Sequence, residues 1–242
     1  MTRYQVVRSK LKKTRVMQSD DNLCKFIPKT IIYNKSNLIE MLNSYCLIFV
    51  KPDRGRKGLK VAGIKRYNEH FIVHYNCNRL LMKEISNVND FVKVLSGGKK
   101  FLIQQGIDVL QINERPFNLR IWVQKPYNAW EITGITAVLA APKRVVTNYR
   151  QGGTLLPFKE VINKTGADFR EIKELTSMLY HIGDHTAKVL NKEYSNLREL
   201  GIDIGLDQRF WPWIIEVNTK PRIIIGNAKI LQYHRIIIDS LI

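Results

Sequence analysis

The hydrophobic pattern changes period several times along the chain, and each change marks an element. Residues 3–18 predict a very basic helix, broken at Ser19-Asp20-Asp21-Asn22. Pro28 closes any helix there, and Thr30-Ile31-Ile32-Tyr33 reads as a short β run. Ser36 is placed to cap a helix over about 37–44, with Leu38, Ile39, Met41 and Leu42 as its apolar face. Residues 46–50 are continuously apolar, as in a buried strand. A loop follows over 51–58. Strands are expected at 61–67 and 70–75 around the turn Asn68-Glu69, and a helix at 88–95 ended by Gly97-Gly98. Residues 101–105 form another strand.

Residues 118–124 and 130–139 alternate like antiparallel strands, and Gln151-Gly152-Gly153 marks a loop. Residues 168–191 make the longest helical stretch, with Ile172, Leu175, Leu179, Ile182 and Val189 near one face. A hairpin over 201–218 and a helix over about 230–241 complete the chain. There is no internal repeat. A boundary near Gln105 divides the chain into a short basic N-terminal segment (1–45), a small lobe (46–104) and a large lobe (105–242).

Composition fits this picture. The chain has 242 residues, 45% of them hydrophobic, enough for a sizeable core. No apolar run reaches the roughly 20 residues of a membrane span. The basic start lacks an apolar stretch, so it is not a secretory signal; a mitochondrial-type presequence remains an alternative. Three widely spaced cysteines, Cys24, Cys46 and Cys77, point to a reducing cytoplasm and buried thiols rather than disulfides or zinc. His181 and His185, at i and i+4, have no third metal ligand nearby in sequence.

Charge sharpens the picture. The net charge is +18, and residues 1–66 hold 16 Lys/Arg against 4 Asp/Glu. Such a field attracts nucleotide phosphates, acidic peptides or nucleic acid, or is simply a solvated surface. No zinc-finger, RNP-type or helix-turn-helix signature favours nucleic acid.

The candidate chemistry centres on the hairpin. Glu216 and Asn218 share one strand face, and a turn over 207–211 sets Asp203 opposite Glu216. Oxygen ligands so grouped suit Mg²⁺, which takes a few carboxylates and leaves the rest of its shell to phosphates and water. Four other segments join it. Lys51 ends an apolar strand beside a loop containing Gly55 and Gly58, although the spacing is not that of a P-loop. Gln104-Gln105-Gly106-Ile107 lies at the lobe boundary, where backbone groups can hold an adenine edge. Arg120 sits inside an apolar strand and needs an anion, either a ligand or a structural ion pair. Asn148 precedes Gly152-Gly153 in a polar strand end.

The order of these pieces resembles the ATP-grasp superfamily. Phe49-Val50-Lys51-Pro52, Ile103-Gln104-Gln105-Gly106-Ile107, Pro116-Phe117-Asn118-Leu119-Arg120, Val146-Thr147-Asn148, Glu199-Leu200-Gly201-Ile202-Asp203 and Ile215-Glu216-Val217-Asn218 resemble its YheC/YheD endospore coat-associated branch. The resemblance runs from about residue 9 to 218. It implies an α+β fold with ATP held between two lobes, and a ligase that phosphorylates a carboxylate and then joins it to an amine or thiol. Lys51, Gly55 and Gly58 would bind phosphates, with Asn148 near them. Gln104, Gln105 and Ile107 would bind adenine. Asp203, Glu216 and Asn218 would hold Mg²⁺. Arg120 would face the transferred phosphate, and Lys220 and Arg222 the acceptor carboxylate.

The chain departs from the family pattern in three places. Arg56, Lys57 and Lys60 stand where the phosphate loop is usually small or glycine. A basic residue expected between the strand at Thr133 and Asn148 is replaced by Val138, with Arg144 as a substitute. The N-terminal α/β domain is reduced to about 45 residues, so a partner subunit, a second copy or a peptide is expected to supply what is missing. The basic N-terminal part suggests an acidic peptide or protein acceptor, with an amino acid or other amine as donor. The expected location is the cytoplasm, with spore association implied by the resemblance. Two alternatives stand beside the ligase: a non-catalytic ATP-binding spore-coat protein, and a nucleic-acid-binding protein supported by charge alone.

Overall fold

The computed structural model describes residues 4–55, 58–142, 152–222 and 228–239. Two antiparallel sheets form, each with its own core. The first has the strand order β1 (Thr30–Ile32), β6 (Phe101–Gln105), β2 (Leu47–Pro52), β3 (Ala62–Tyr67), β4 (His70–Tyr75), β5 (Asn78–Met82). Helices α2 (Lys35–Ser44) and α3 (Ile85–Ser96) cover one side of it. Leu38, Leu42, Ile48, Val50, Ile64, Val73, Val88 and Val92 are fully buried between them.

The second sheet has the order β10 (Thr154–Pro157), β9 (Glu131–Leu139), β8 (Arg115–Gln124), β11 (Glu199–Leu206), β12 (Pro212–Asn218), with β7 (Gln111–Ile112) paired to β8. The 25-residue helix α5 (Phe169–Glu193) packs its apolar stripe on one face, and Asp168 and Glu171 form a capping box at its start. Helix α4 (Phe158–Asn163) packs on β9 and β10, and α6 (Ala228–Asp239) on β8 and β9.

The first helix, α1 (Lys10–Gln18), contacts α5, β1 and β12, so it touches both sheets. Its start is fastened to the first lobe, where the buried Asp53 carboxylate accepts from Ser9 Oγ (2.8 and 2.9 Å) and Leu11 N (2.9 Å). It is fastened to the second where Val7 N donates to Thr219 Oγ1 (2.9 Å). A further clasp joins the two ends of the chain. The fully buried Glu199 carboxylate meets Tyr4 Oη (2.9 Å), Gln124 Nε2 (2.8 Å) and His234 Nδ1 (2.8 Å).

Several sequence expectations change. The N-cap of α2 is Asn34, whose side chain accepts from Asn37 N at 2.7 Å, not Ser36. The run at 46–50 alternates in burial, because one face of β2 meets the helices and the other the interlobe cleft. All three cysteines are exposed rather than buried. Strands β5 and β10 and helix α4 were not anticipated; each is short, and β5 buries almost nothing. His181 and His185 do share a helix face, with rings stacked 5.6 Å apart, but His185 Nε2 lies 2.9 Å from Asp20 Oδ1.

Candidate active site

Cross-strand pairing places three charged residues in one row. Arg120 on β8 is the register partner of Asp203 on β11, and Asp203 is the partner of Glu216 on β12. Side chains directly opposite in adjacent strands lie on one face. Arg120 Nε pairs with Asp203 Oδ1 at 2.5 Å, and Asn218 Nδ2 donates to Asp203 Oδ2 at 3.2 Å. Asp203, Glu216 and Asn218 are therefore brought together, and the anion that Arg120 requires is Asp203. Gly201 makes this possible: a Cβ there would lie 2.6 Å from Arg120 Nη1 and 2.9 Å from Pro221 Cβ.

The other lobe reaches this row from above. Lys51 Nζ donates to Gln104 Oε1 (2.7 Å) and to the Ile215 carbonyl (3.2 Å). Gln104 Nε2 binds Thr30 Oγ1 at 3.1 Å. Burial lowers the Lys51 pKa to about 8, against the pull of Glu216. Burial pushes the Asp203 carboxyl up and Glu216 adds to this, while Arg120 and Lys51 oppose it. Two half-buried carboxylates side by side favour an added cation.

Two residues not assigned to the site from sequence also enter it. Lys10 Nζ lies 3.4 Å from Glu216 Oε1 and donates to the Gly55 carbonyl at 3.2 Å. Lys13, 4% exposed, donates to the Val7 carbonyl at 2.9 Å, and burial lowers its pKa to about 8. Lys10, Lys13, Thr14 and Met17 line the cleft together with Lys51, Gln104 and Glu216. Their i, i+3, i+4, i+7 spacing is a helix stripe, a signal present in the sequence but masked by the many other basic residues of this segment. The cleft leaves about 10 Å³, room for about one water.

The remaining sequence-predicted residues spread outward. Gly55 turns tightly under β2, where a Cβ would meet Pro52 Cγ at 2.6 Å, and Gly58 follows with φ +67°. Gln105 ends β6, exchanges hydrogen bonds with Lys29, and leads to Ile107 in the connection between the lobes. Lys220 is exposed, its ammonium 5.0 Å from the Tyr4 ring centroid, and Arg222 is exposed beyond it. Asn148 lies outside the described residues, as do Arg144, the substitute for the basic residue missing at Val138, and Arg56 and Lys57.

A family model for YheC/D-like ATP-grasp proteins matches residues 2–237. This chain belongs to the YheC/D-like ATP-grasp family. It is 23% identical over 219 residues to the endospore coat-associated protein YheD of Bacillus subtilis (strain 168), covering 86% of this chain and 47% of YheD. The chain spans about half the length of the curated relatives it matches. Its fold is similar to D-cycloserine synthetase DcsG, with TM-score 0.63, 9% identity, and 97% of this chain and 70% of that one covered. It is also similar to the D-alanine-D-alanine ligase of Coxiella burnetii, with TM-score 0.58, 11% identity, and 97% and 56% covered. This YheC/D-like protein thus has the α+β ATP-grasp fold expected from its motifs. No described helix is long and apolar enough to cross a membrane.

The site also bears on metal binding. Among the described residues no group of three His, Cys, Asp or Glu gathers as a metal cage. Two carboxylates and the amide of Asn218 do gather. That donor set fits Mg²⁺, which draws the rest of its shell from phosphates and water, better than a metal needing a complete protein cage.

Proposed function

We propose that this YheC/D-like protein is an ATP-dependent ligase that joins a carboxylate to an amine, or to a thiol, through an acyl phosphate. The observation that carries the reading is the Arg120–Asp203–Glu216 row, with Lys51 held above it from the opposite lobe. Such an array positions a polyphosphate and neutralises the charge that develops on it. In the reaction, a carboxylate oxygen attacks the γ-phosphorus and ADP leaves. The nucleophile then attacks the acyl carbon, its proton is lost, and phosphate departs.

Lys51, with the loop at Gly55 and Gly58, holds the phosphates. Lys10 and Lys13 add positive charge to the same cleft. Gln104, Gln105 and Ile107 border the adenine. Arg120 stabilises the transferred phosphoryl group, and Lys220 and Arg222 face the acceptor carboxylate. Asp203, Glu216 and Asn218 hold Mg²⁺, which when bound offsets phosphate charge. Because the cleft is narrow, nucleotide entry parts the two sheets and exchanges the Lys51–Ile215 contact for phosphate. The names of its relatives support an association with the spore coat.

The test is mass spectrometry of an acidic acceptor incubated with protein, ATP, Mg²⁺ and pooled amino acids, with ADP release followed in parallel. The expected result is a mass increase of one amino-acid residue with matching ADP. Glu216→Ala should lower the rate about 10²-fold or more. Wild-type turnover in that variant would remove Glu216 from the site.

A further inference from the structure

We propose that the cleft-facing side of the β3–β4–β5 strands is a docking platform for an acidic, extended peptide segment carrying the acceptor carboxylate. The inference rests on the ligase reading and deepens it by locating the acceptor.

The register of the first sheet defines the platform. Lys51 pairs with Leu102 and Phe49 with Gln104, so these side chains share the face turned to the second lobe. Phe49 also pairs with Gly63, and Leu47 with Lys65. Gly63 continues to His74 and Arg79, and Lys65 to Ile72 and Leu81. One face therefore runs without interruption from the nucleotide cleft to the β5 edge of the sheet. Helices α2 and α3 occupy the other face, where Ile64 and Val73 are fully buried and Tyr75 packs against Phe91.

The chemistry of this face is uneven. Lys65 and Arg79 are exposed, and the register rows of β3–β5 on this side contain no carboxylate. The field is positive enough to help lower the His74 pKa: burial acts first, then Arg79 and Lys65. Leu81 is 66% exposed and Tyr67 62%, with half-buried Ile72 between their strands. Among the described residues β5 is the last strand of the sheet, and four of its five residues are exposed. A cationic, partly apolar sheet face fits an acidic peptide that lies across the strands, from the β5 edge towards the cleft. Acidic side chains would meet Lys65 and Arg79, and an apolar one Leu81. Nucleic acid would use the cations but gain nothing from Leu81.

The test uses the full chain and a fluorescein-labelled Glu-rich decapeptide with a central Leu, read by anisotropy at low and physiological salt. A single-stranded RNA oligomer and ADP are run on the same samples. Lys65→Glu/Arg79→Glu should weaken peptide binding about tenfold or more and reduce its salt dependence, with ADP affinity unchanged. Leu81→Ser, which leaves the charge intact, should weaken it severalfold. Lys35→Glu/Lys93→Glu, on the helix-covered side, should leave it within about twofold. The platform is overturned if the wild type binds no peptide, if both reversals act equally, or if RNA outcompetes the peptide there. Peptide binding without ADP binding would sink the ligase reading while leaving the platform; ADP binding with peptide insensitive to the variants would do the reverse.

Discussion

Lys51 shows how strongly one residue depends on its surroundings. As a sequence feature it is a lysine at the end of an apolar run. In the fold it is 6% exposed, with its ammonium between Gln104 and the Ile215 carbonyl. Burial lowers both Lys51 and Lys13 to about 8, whereas an unfolded lysine titrates near 10.4. Between about pH 8 and 10 the unfolded chain then binds more protons than the folded one, so stability rises with pH. Tyr4 works in the opposite sense above this window. Burial, then the Glu199 charge, raises its pKa, so the folded chain keeps a proton that the unfolded chain loses above pH 10. Urea denaturation across this range should show stability climbing from pH 8 and turning over near 10. Lys51→Met should remove one of the two lysine contributions; an unchanged slope would show that Lys51 is not the buried base described. Arg120 teaches a related lesson: its position in an apolar strand announced the need for an anion, but not that Asp203 meets it.

Among the elements, the β11–β12 hairpin carries the site because its register is right. The Asp203–Glu216 pairing was legible from strand period and turn position, and it is observed, with an irregularity just beyond Asp203. What was not legible is the dependence on β8, whose pairing with β11 spans more than seventy residues of sequence. Gly201 marks that contact. Gly201→Ala should push Arg120 away from Asp203, cost about 1–3 kcal/mol in stability and weaken ADP binding. Calorimetric binding and unfolding measured together check this; wild-type behaviour in both would mean the strand accommodates the methyl freely. The displaced cap of α2 and the missed β5 have local causes. Asn34 competes with Ser36 for the same task, and β5 buries too little to leave a hydrophobic pattern.

On the scale of the whole molecule, α1 is a strap across the two lobes. Asp53 receives its first turn, and Thr219 and Glu216 hold it on the other side. Asp53→Ala leaves Ser9 Oγ and Leu11 N without their buried partner. It should cost roughly 2–3 kcal/mol and expose the basic segment to trypsin at Arg8 and Arg15. Equal proteolysis of variant and wild type would show that Asp53 does not hold the strap.

The sequence by itself determined the two-lobed α+β architecture, the family and the identities of the polar groups in the hairpin, because periodicity and motif order are properties of the chain. Tertiary structure alone decided that Lys10 and Lys13 leave the basic surface for the cleft, that Asp203 answers Arg120, and that Glu199 ties both chain ends together. Each of these depends on how charge is compensated between residues far apart in sequence. A local pattern can state that need, but only packing chooses the partner.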